Sequence, residues 1–329
     1  GRVTADYALS CGGESAPLDA VQDAWEATLE PVMPELSAHG QGSGRVKKLA
    51  CTAVSRPSPA VKSARPRALI PVFPGTNCEY DTARALLRAG AEPEILVIRN
   101  LSPADVAESV ERVAAAIARS QMIVLPGGFS GGDEPDGSAK LIASFFRSPR
   151  LADAVQELLD ARDGLMLGIC NGFQALIKLG LVPFGRIVET DANCPTLTYN
   201  AIGRHQSRLV RTRVASDLSP WLSRCRVGDI HTVAVSHGEG RFVCPEPLLT
   251  QLAQRGQLAT QYVDLEGEPT MELRYNPNGS VLAVEAVCSP DGRVLGKMGH
   301  TERSGAGLYQ NVPGAGLQPV FESGVDYFR

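Results

Sequence analysis

One stretch of this chain has the residue types and the spacing to do covalent chemistry. Leu165-Met166-Leu167-Gly168-Ile169-Cys170-Asn171-Gly172-Phe173-Gln174 is an apolar run ending in Gly-x-Cys-x-Gly, followed by a helix-like segment. This is how a chain presents a nucleophile on a sharp strand-to-helix turn, with cysteine where the best-known elbow carries serine. Cys170 then stands at a helix N-terminus, where partial positive charge favours a thiolate. Gly168 and Gly172 let strand and helix close around a strained residue. An ordinary buried cysteine beside a loop is the bland alternative, and the paired glycines in a strand-before, helix-after context argue against it.

A cysteine nucleophile needs a base and a group to orient that base. Five histidines are available. His39 falls in a glycine- and serine-rich stretch, and His205 and His231 have no distinctive neighbours, so surface or packing roles are their default. His300-Thr301-Glu302 is the best candidate pair, because residues i and i+2 share a face in an extended chain and Glu302 can hold the imidazole. His237, in Ser236-His237-Gly238-Glu239-Gly240, is the alternative base, though a glycine-rich loop of this kind reads more readily as pocket lining. An oxyanion needs backbone donors. Leu125 to Asp133 is a glycine loop directly after an apolar strand, and the N–H groups of Gly128 and Asn171 are assigned to that task. Cys78, in Pro74-Gly75-Thr76-Asn77-Cys78-Glu79, lacks the elbow context and is read as structural.

The elements around these residues alternate. Ala68–Phe73, Glu94–Ile98, Gln121–Leu125 and Gly164–Ile169 read as strands. Glu79–Ala89, Ser102–Arg119 and Leu151–Ala161 read as helices, the first stopped by Gly90 and the second opened by Ser102-Pro103. Such alternation predicts βαβ units, a parallel sheet and ligand binding at the strand C-terminal ends. Beyond Arg204 strand candidates crowd together (Leu209–Val214, Ile230–Val235, Gln257–Val263, Val281–Val287), with Arg293–Met298 leading to His300. This half predicts mixed or antiparallel sheet.

Three regions follow along the chain. Up to Leu36, Leu18, Val21, Trp25 and Leu29 recur at helical spacing, and one such helix cannot bury its own apolar stripe. Residues 37–66 are rich in Gly, Ser, Ala and Pro, contain no Asp or Glu, and carry Arg45, Lys47, Lys48, Arg56, Lys62 and Arg65. With no aromatic residue between the charges, this reads as a solvated basic tether rather than a nucleic-acid contact. Residues 67–329 form the main domain.

Composition sets limits. The 329 residues suit about two domains, and the net charge of −4 argues against a general nucleic-acid binder. No run approaches the roughly 20 apolar residues of a membrane span. The eight cysteines lack short paired spacing, so they predict reduced thiols of a cytoplasmic protein, with neither a disulfide frame nor a metal site. The start at Gly1 predicts a processed product or a fragment.

The ordered set of a glycine loop, Gly-x-Cys-x-Gly-x-Gln and a late His-x-Glu resembles the class I glutamine amidotransferase domain, over about Arg67 to the C-terminus. Pro71–Glu79, Gly127–Ser130, Gly168–Gln174, Ser236–Gly240, Tyr275–Ser280 and Gly299–Arg303 draw the resemblance to the branch serving purine biosynthesis. The resemblance implies a flavodoxin-like α/β fold: an open, mostly parallel sheet with helices on both faces. It implies a glutaminase in which Cys170 attacks the glutamine side-chain amide, His300 handles protons and Glu302 orients His300. It places Gly127, Phe129, Gln174, Ser236 and His237 near bound glutamine. It also implies a synthetase partner that uses ATP and Mg to turn formylglycinamide ribonucleotide into its amidine with the ammonia released, and no cofactor in this chain. The chain has no room for that synthetase; residues 1–36 resemble the tail of it found in the family's long form. Two other readings compete: a cysteine hydrolase of the intracellular-protease type, which typically has histidine where Asn171 stands, and a non-catalytic docking module.

Overall fold

A computed structural model of the chain describes residues 1–29, 31–32, 44–132, 138–305, 307–312 and 317–329. Several sequence readings fall outside them: Glu30, Pro34 and Leu36 of the first region, His39 and residues 37–43 of the tether, and Asp133 of the glycine loop. The chain divides into two compact units, Gly1–Gln41 and Gly42–Arg329.

The first unit is a hairpin of β1 (Ala8–Cys11) and β2 (Glu14–Pro17) leading into α1 (Leu18–Glu26). The helix carries the expected stripe of Leu18, Val21 and Trp25, and none of its residues is buried.

The second unit opens with β3 (Arg67–Val72), α2 (Glu79–Ala89), β4 (Glu92–Val97), α3 (Pro103–Arg119) and β5 (Met122–Leu125). Then come α4 (Lys140–Phe146), α5 (Pro149–Asp160), β6 (Leu165–Ile169), α6 (Asn171–Leu179), the one-turn α7 (Leu181–Phe184) and β7 (Thr196–Tyr199). The remainder is β8 (Gln206–Val214), β9 (Ile230–His237), β10 (Glu239–Val243), α8 (Glu246–Gln254), β11 (Leu258–Val263), β12 (Val284–Cys288), β13 (Val294–Lys297) and α9 (Val320–Tyr327).

Local chemistry accounts for the boundaries. Ser102 caps α3 by accepting from the Asp105 N–H, with Pro103 at the first helical position. Gly90, at φ 95°, ends α2 in the left-handed conformation. Strands β5 and β6 are buried at every position, as continuous apolar runs in a sheet covered on both faces must be.

Nine strands form one sheet in the order β4-β3-β5-β6-β13-β12-β11-β8-β9. From β4 to β13 all pairings are parallel, and from β13 to β9 all are antiparallel. The sheet is therefore half parallel, where the sequence reading expects mostly parallel. The crowded strands after Arg204 supply the antiparallel half. A separate two-stranded sheet pairs β7 with β10.

The parallel half positions the site. From β3 the chain moves outward to β4, then returns past β3 to β5 and on to β6. With right-handed crossovers, that reversal puts α2 on the opposite face from α3 and α5. It also opens a crevice between the loops after β3 and β5. Residues 74–78, 126–128 and 170 follow three adjacent strands, and His300 follows the fourth, β13, closely. Four loops thus converge at one edge of the sheet.

The solvated tether is corrected for residues 44–66. Leu49 is buried, its N–H bonds Gln261 Oε1 at 2.9 Å, and its carbonyl accepts from Arg213. Arg45 bridges to Thr270, Cys51 to Ser216, and Arg56 pairs with Asp217 at 2.7 Å. Lys48 pairs with Glu268 and Arg45 with Asp264, so this segment is part of the second unit rather than a free spacer.

Candidate active site

Cys170 takes φ 52° and ψ −105°, a conformation few non-glycine residues hold, and caps α6. Both flanking glycines are required by contact. A Cβ on Gly168 would lie 2.6 Å from the Gly172 carbonyl group, and one on Gly172 would lie 2.1 Å from the Leu125 carbonyl oxygen. The sulfur comes within 3.6 Å of the Ser236 carbonyl oxygen.

Cys170 lines a cavity of about 240 Å³, somewhat below the roughly 300–1,000 Å³ of sites for drug-sized ligands. Gly128, Phe129, Gln174 and His237 line it too. So do Ser138, Tyr199, Arg204 and Glu239, which the sequence reading gave no place at the site, and His205, which it left to a surface or packing role. Glu239 carried a signal, since it lies in the Ser236–Gly240 segment. His205 carried none. It bonds Ser236 Oγ through Nε2 at 3.0 Å, and its ring centroid lies 6.1 Å from that of Phe129.

His300 and Glu302 are almost completely buried, with Nδ1 and Oε1 2.6 Å apart. His300 Nε2 is buried with no hydrogen-bond partner among the described residues. Burial pulls the imidazole pKa down, but the Glu302 carboxylate and then the charge at Cys170 more than offset this and leave it well above the usual range. The His300 N–H bonds the Ala234 carbonyl at 2.8 Å, which ties this histidine to β9 beside Ser236 and His237.

Gly127 lies under the imidazole, and a Cβ there would meet His300 Cε1 at 2.6 Å and Cys78 Sγ at 3.1 Å. Gly128 bridges to Thr76, joining the loops after β3 and β5. Asn171 opens α6, accepts from the Ser130 N–H and donates to Gln174 Oε1 at 2.9 Å. Gln174 in turn donates to the Glu239 carbonyl.

His237 is buried and bonds Asn200 Oδ1 through Nδ1 at 3.0 Å. Burial, with the nearby His300 and His205, presses its pKa down to about 3. It stays neutral at ordinary pH and shares the cavity wall with Cys170. Cys78 is fully buried, 3.9 Å from His300 Nδ1 and 2.9 Å from Arg303 Nη2. Cys78, His300 and Glu302 bring ligand atoms within 4.8 Å of one another, a grouping with metal-binding residue types that sequence spacing did not reveal. Glu302 already engages Nδ1 there and Arg303 already engages the sulfur. All eight cysteines are free thiols. No helix of the described residues is long and apolar enough to cross a membrane.

A mixed α/β sheet, a cysteine elbow at a strand end and a buried histidine–carboxylate pair beside it define a class. The chain belongs to the glutamine amidotransferases: residues 65–328 match the CobB/CobQ-like glutamine amidotransferase domain. Among curated proteins it is similar to phosphoribosylformylglycinamidine synthase subunit PurQ of Methanococcus maripaludis strain C7, 33% identical over 242 residues, covering 73% of this chain and 82% of that one. The subunit PurQ of Aquifex aeolicus is 34% identical over 235 residues, covering 71% and 88%. Among solved structures, PurLQS from Thermotoga maritima matches with a TM-score of 0.58 at 25% identity, covering 80% of this chain and all of that one.

Proposed function

We propose that this chain is the glutaminase component of a phosphoribosylformylglycinamidine synthase, working through Cys170, His300 and Glu302. The observation that carries the reading is the strained Cys170 elbow opening into a cavity beside the buried His300–Glu302 pair.

The Cys170 sulfur attacks the side-chain carbonyl carbon of glutamine, and its proton passes to His300. The carbonyl oxygen becomes an oxyanion held by the N–H groups of Gly128 and Asn171. The C–N bond breaks as His300 returns the proton to the departing amine, leaving ammonia and a glutamyl thioester. His300 then takes a proton from water, the hydroxide attacks the thioester, and glutamate leaves as the thiol is restored. Glu302 keeps Nδ1 engaged and stabilises the imidazolium at each step. Gly127, Phe129, Gln174, Ser236 and His237 shape the glutamine site, with the neutral His237 as a hydrogen-bonding wall rather than a base.

The ammonia serves a synthetase partner that uses ATP and Mg to convert formylglycinamide ribonucleotide into the amidine. Residues 1–36 are read as the tail of that synthetase. Ammonia set free in neutral water is mostly protonated and a poor nucleophile, so transfer within a complex follows. Mass spectrometry after treatment with a glutamine-like electrophile tests the assignment. A single adduct on Cys170, lost in Cys170→Ala together with glutamine hydrolysis, is expected. An adduct on Cys78 instead overturns the choice of nucleophile, and no adduct on any cysteine favours a docking module.

A further inference from the structure

Beside the base lies a buried ion pair that the reaction does not touch. Lys297 ends β13 and Glu285 lies in β12, and their side chains are 1% and 0% exposed with Nζ and Oε1 3.4 Å apart. The Lys297 ammonium donates to the Gly299 carbonyl at 2.6 Å and to Thr301 Oγ1 at 2.9 Å. Glu285 Oε1 accepts from the Gly299 N–H at 2.6 Å, and Oε2 accepts from Thr260 Oγ1. The two charges therefore hold both backbone groups of Gly299 and the side chain of Thr301, the residues on either side of His300. The same lysine reaches the nucleophile through its main chain: its carbonyl accepts from the Cys170 N–H at 2.8 Å.

Gly299 completes the arrangement. A Cβ there would come within 3.0 Å of both Glu285 Oε1 and Lys297 Nζ. Only a residue without a side chain lets the two charges close on this backbone.

Burying two charges costs desolvation that their attraction seldom returns in full, and well-packed apolar residues of similar volume often serve stability as well or better. A pair whose contacts end on the neighbours of His300 and on Cys170 points to alignment instead. We propose that Lys297 and Glu285 are positioning residues that hold His300 in register with Cys170. The proposal rests on the glutaminase reading above. Catalytic groups must be held within roughly 0.5 Å of productive geometry, and displacement by about 1 Å costs on the order of 10²-fold in rate.

The test compares the full chain with the double variant Glu285→Leu/Lys297→Met, which removes both charges and strands neither. Inactivation by a chloromethyl-ketone analogue of glutamine separates binding (KI) from sulfur reactivity (kinact). Expected is a thermal midpoint near that of the parent, KI within about twofold, and kinact lower by about 10- to 100-fold. A folded double variant with parental kinact overturns the proposal. Should that variant not fold, Thr301→Val removes one ammonium acceptor and leaves the ion pair in place. A fall in kinact at constant KI is then expected, and a parental value is fatal. A parent chain unreactive at Cys170 sinks the glutaminase reading itself, whereas a reactive parent matched by its variants sinks only the alignment claim.

Discussion

His300 Nδ1 and Glu302 Oε1 lie 2.6 Å apart with both side chains sealed from solvent. The carboxylate is the main influence raising the imidazole pKa against the pull of burial. Glu302→Gln removes that influence, so the His300 pKa falls. The limb of the pH–rate profile governed by His300 moves to lower pH, and kcat drops by roughly 10²- to 10⁴-fold, as when an orienting carboxylate is neutralised in a hydrolase triad. Steady-state glutamine hydrolysis from pH 5 to 9 measures both effects. An unchanged profile removes Glu302 from the mechanism.

Two histidines give opposite stability slopes. His237 has a folded pKa of about 3, below its unfolded value near 6.5. Its contribution is complete above pH 6.5 and is lost as pH falls toward 3, by at most about 1.4 kcal/mol per pH unit. His300 is raised, so its contribution is complete below pH 6.5 and is lost as pH rises through the folded value. Urea unfolding at pH 4.5, 6.5 and 8 should show a maximum near the middle value. In His237→Gln the acid-side decline flattens; equal acid slopes in the two proteins would count against this assignment.

Cys78 and Cys170 both sit near His300 but differ in access. Cys170 lines the cavity, whereas Cys78 is fully enclosed and held by Arg303. Small alkylating agents should modify Cys170 before Cys78 in the native protein, with Cys78 reacting only on the timescale of unfolding. Peptide mapping over a time course reads this order directly.

The elbow tolerates no added methyl group. Gly172→Ala would force a Cβ to 2.1 Å from the Leu125 carbonyl oxygen, a backbone atom that cannot swing aside. A loss of roughly 1–3 kcal/mol of stability is expected, along with slower alkylation of Cys170 as the strained turn relaxes. Chemical denaturation and alkylation rates together check the claim. Parental values for both would show that strand and helix separate more easily than their contact distance implies.

Much of this was legible in the residues, and the gaps have physical causes. The Gly-x-Cys-x-Gly turn, the Ser102 cap and the Gly90 stop are local signals, set by neighbours in sequence. The parallel strands β5 and β6 showed as short apolar runs. The second partner of β6, β13, lies far along the chain, and nothing local says that the two pair. Helices α4 and α8 were missed, being short, and the pairing of β7 with β10 brings together segments some forty residues apart. The cavity residues Tyr199, Arg204 and His205 stand at the end of β7 and in the loop before β8, without periodicity. The Lys297–Glu285 pair was invisible for the same reason, since it joins two strands. The basic segment 44–66 misled because its composition is that of a spacer, while its partners Asp217, Gln261 and Asp264 lie far along the sequence.

Asp217 is the main anchor of that segment. Its carboxylate accepts from the Ala53 N–H and pairs with Arg56, and its carbonyl accepts from Arg56 Nε. Asp217→Ala should cost about 1–3 kcal/mol, the usual range for stranding a hydrogen-bonded group, and should open a protease-sensitive site between Cys51 and Pro59. Limited elastase digestion after Ala53 or Val54 gives the readout. Equal resistance in the variant would mean that Leu49 alone secures the segment.

The family match begins at residue 65, yet the compact unit begins at Gly42. A version trimmed to the region of shared ancestry would lose buried Leu49 and the two backbone groups, of Leu49 and Lys47, that answer the amide of Gln261. Evolutionary kinship and physical self-sufficiency therefore have different edges in this molecule, and whoever expresses the larger unit by itself should cut by the second.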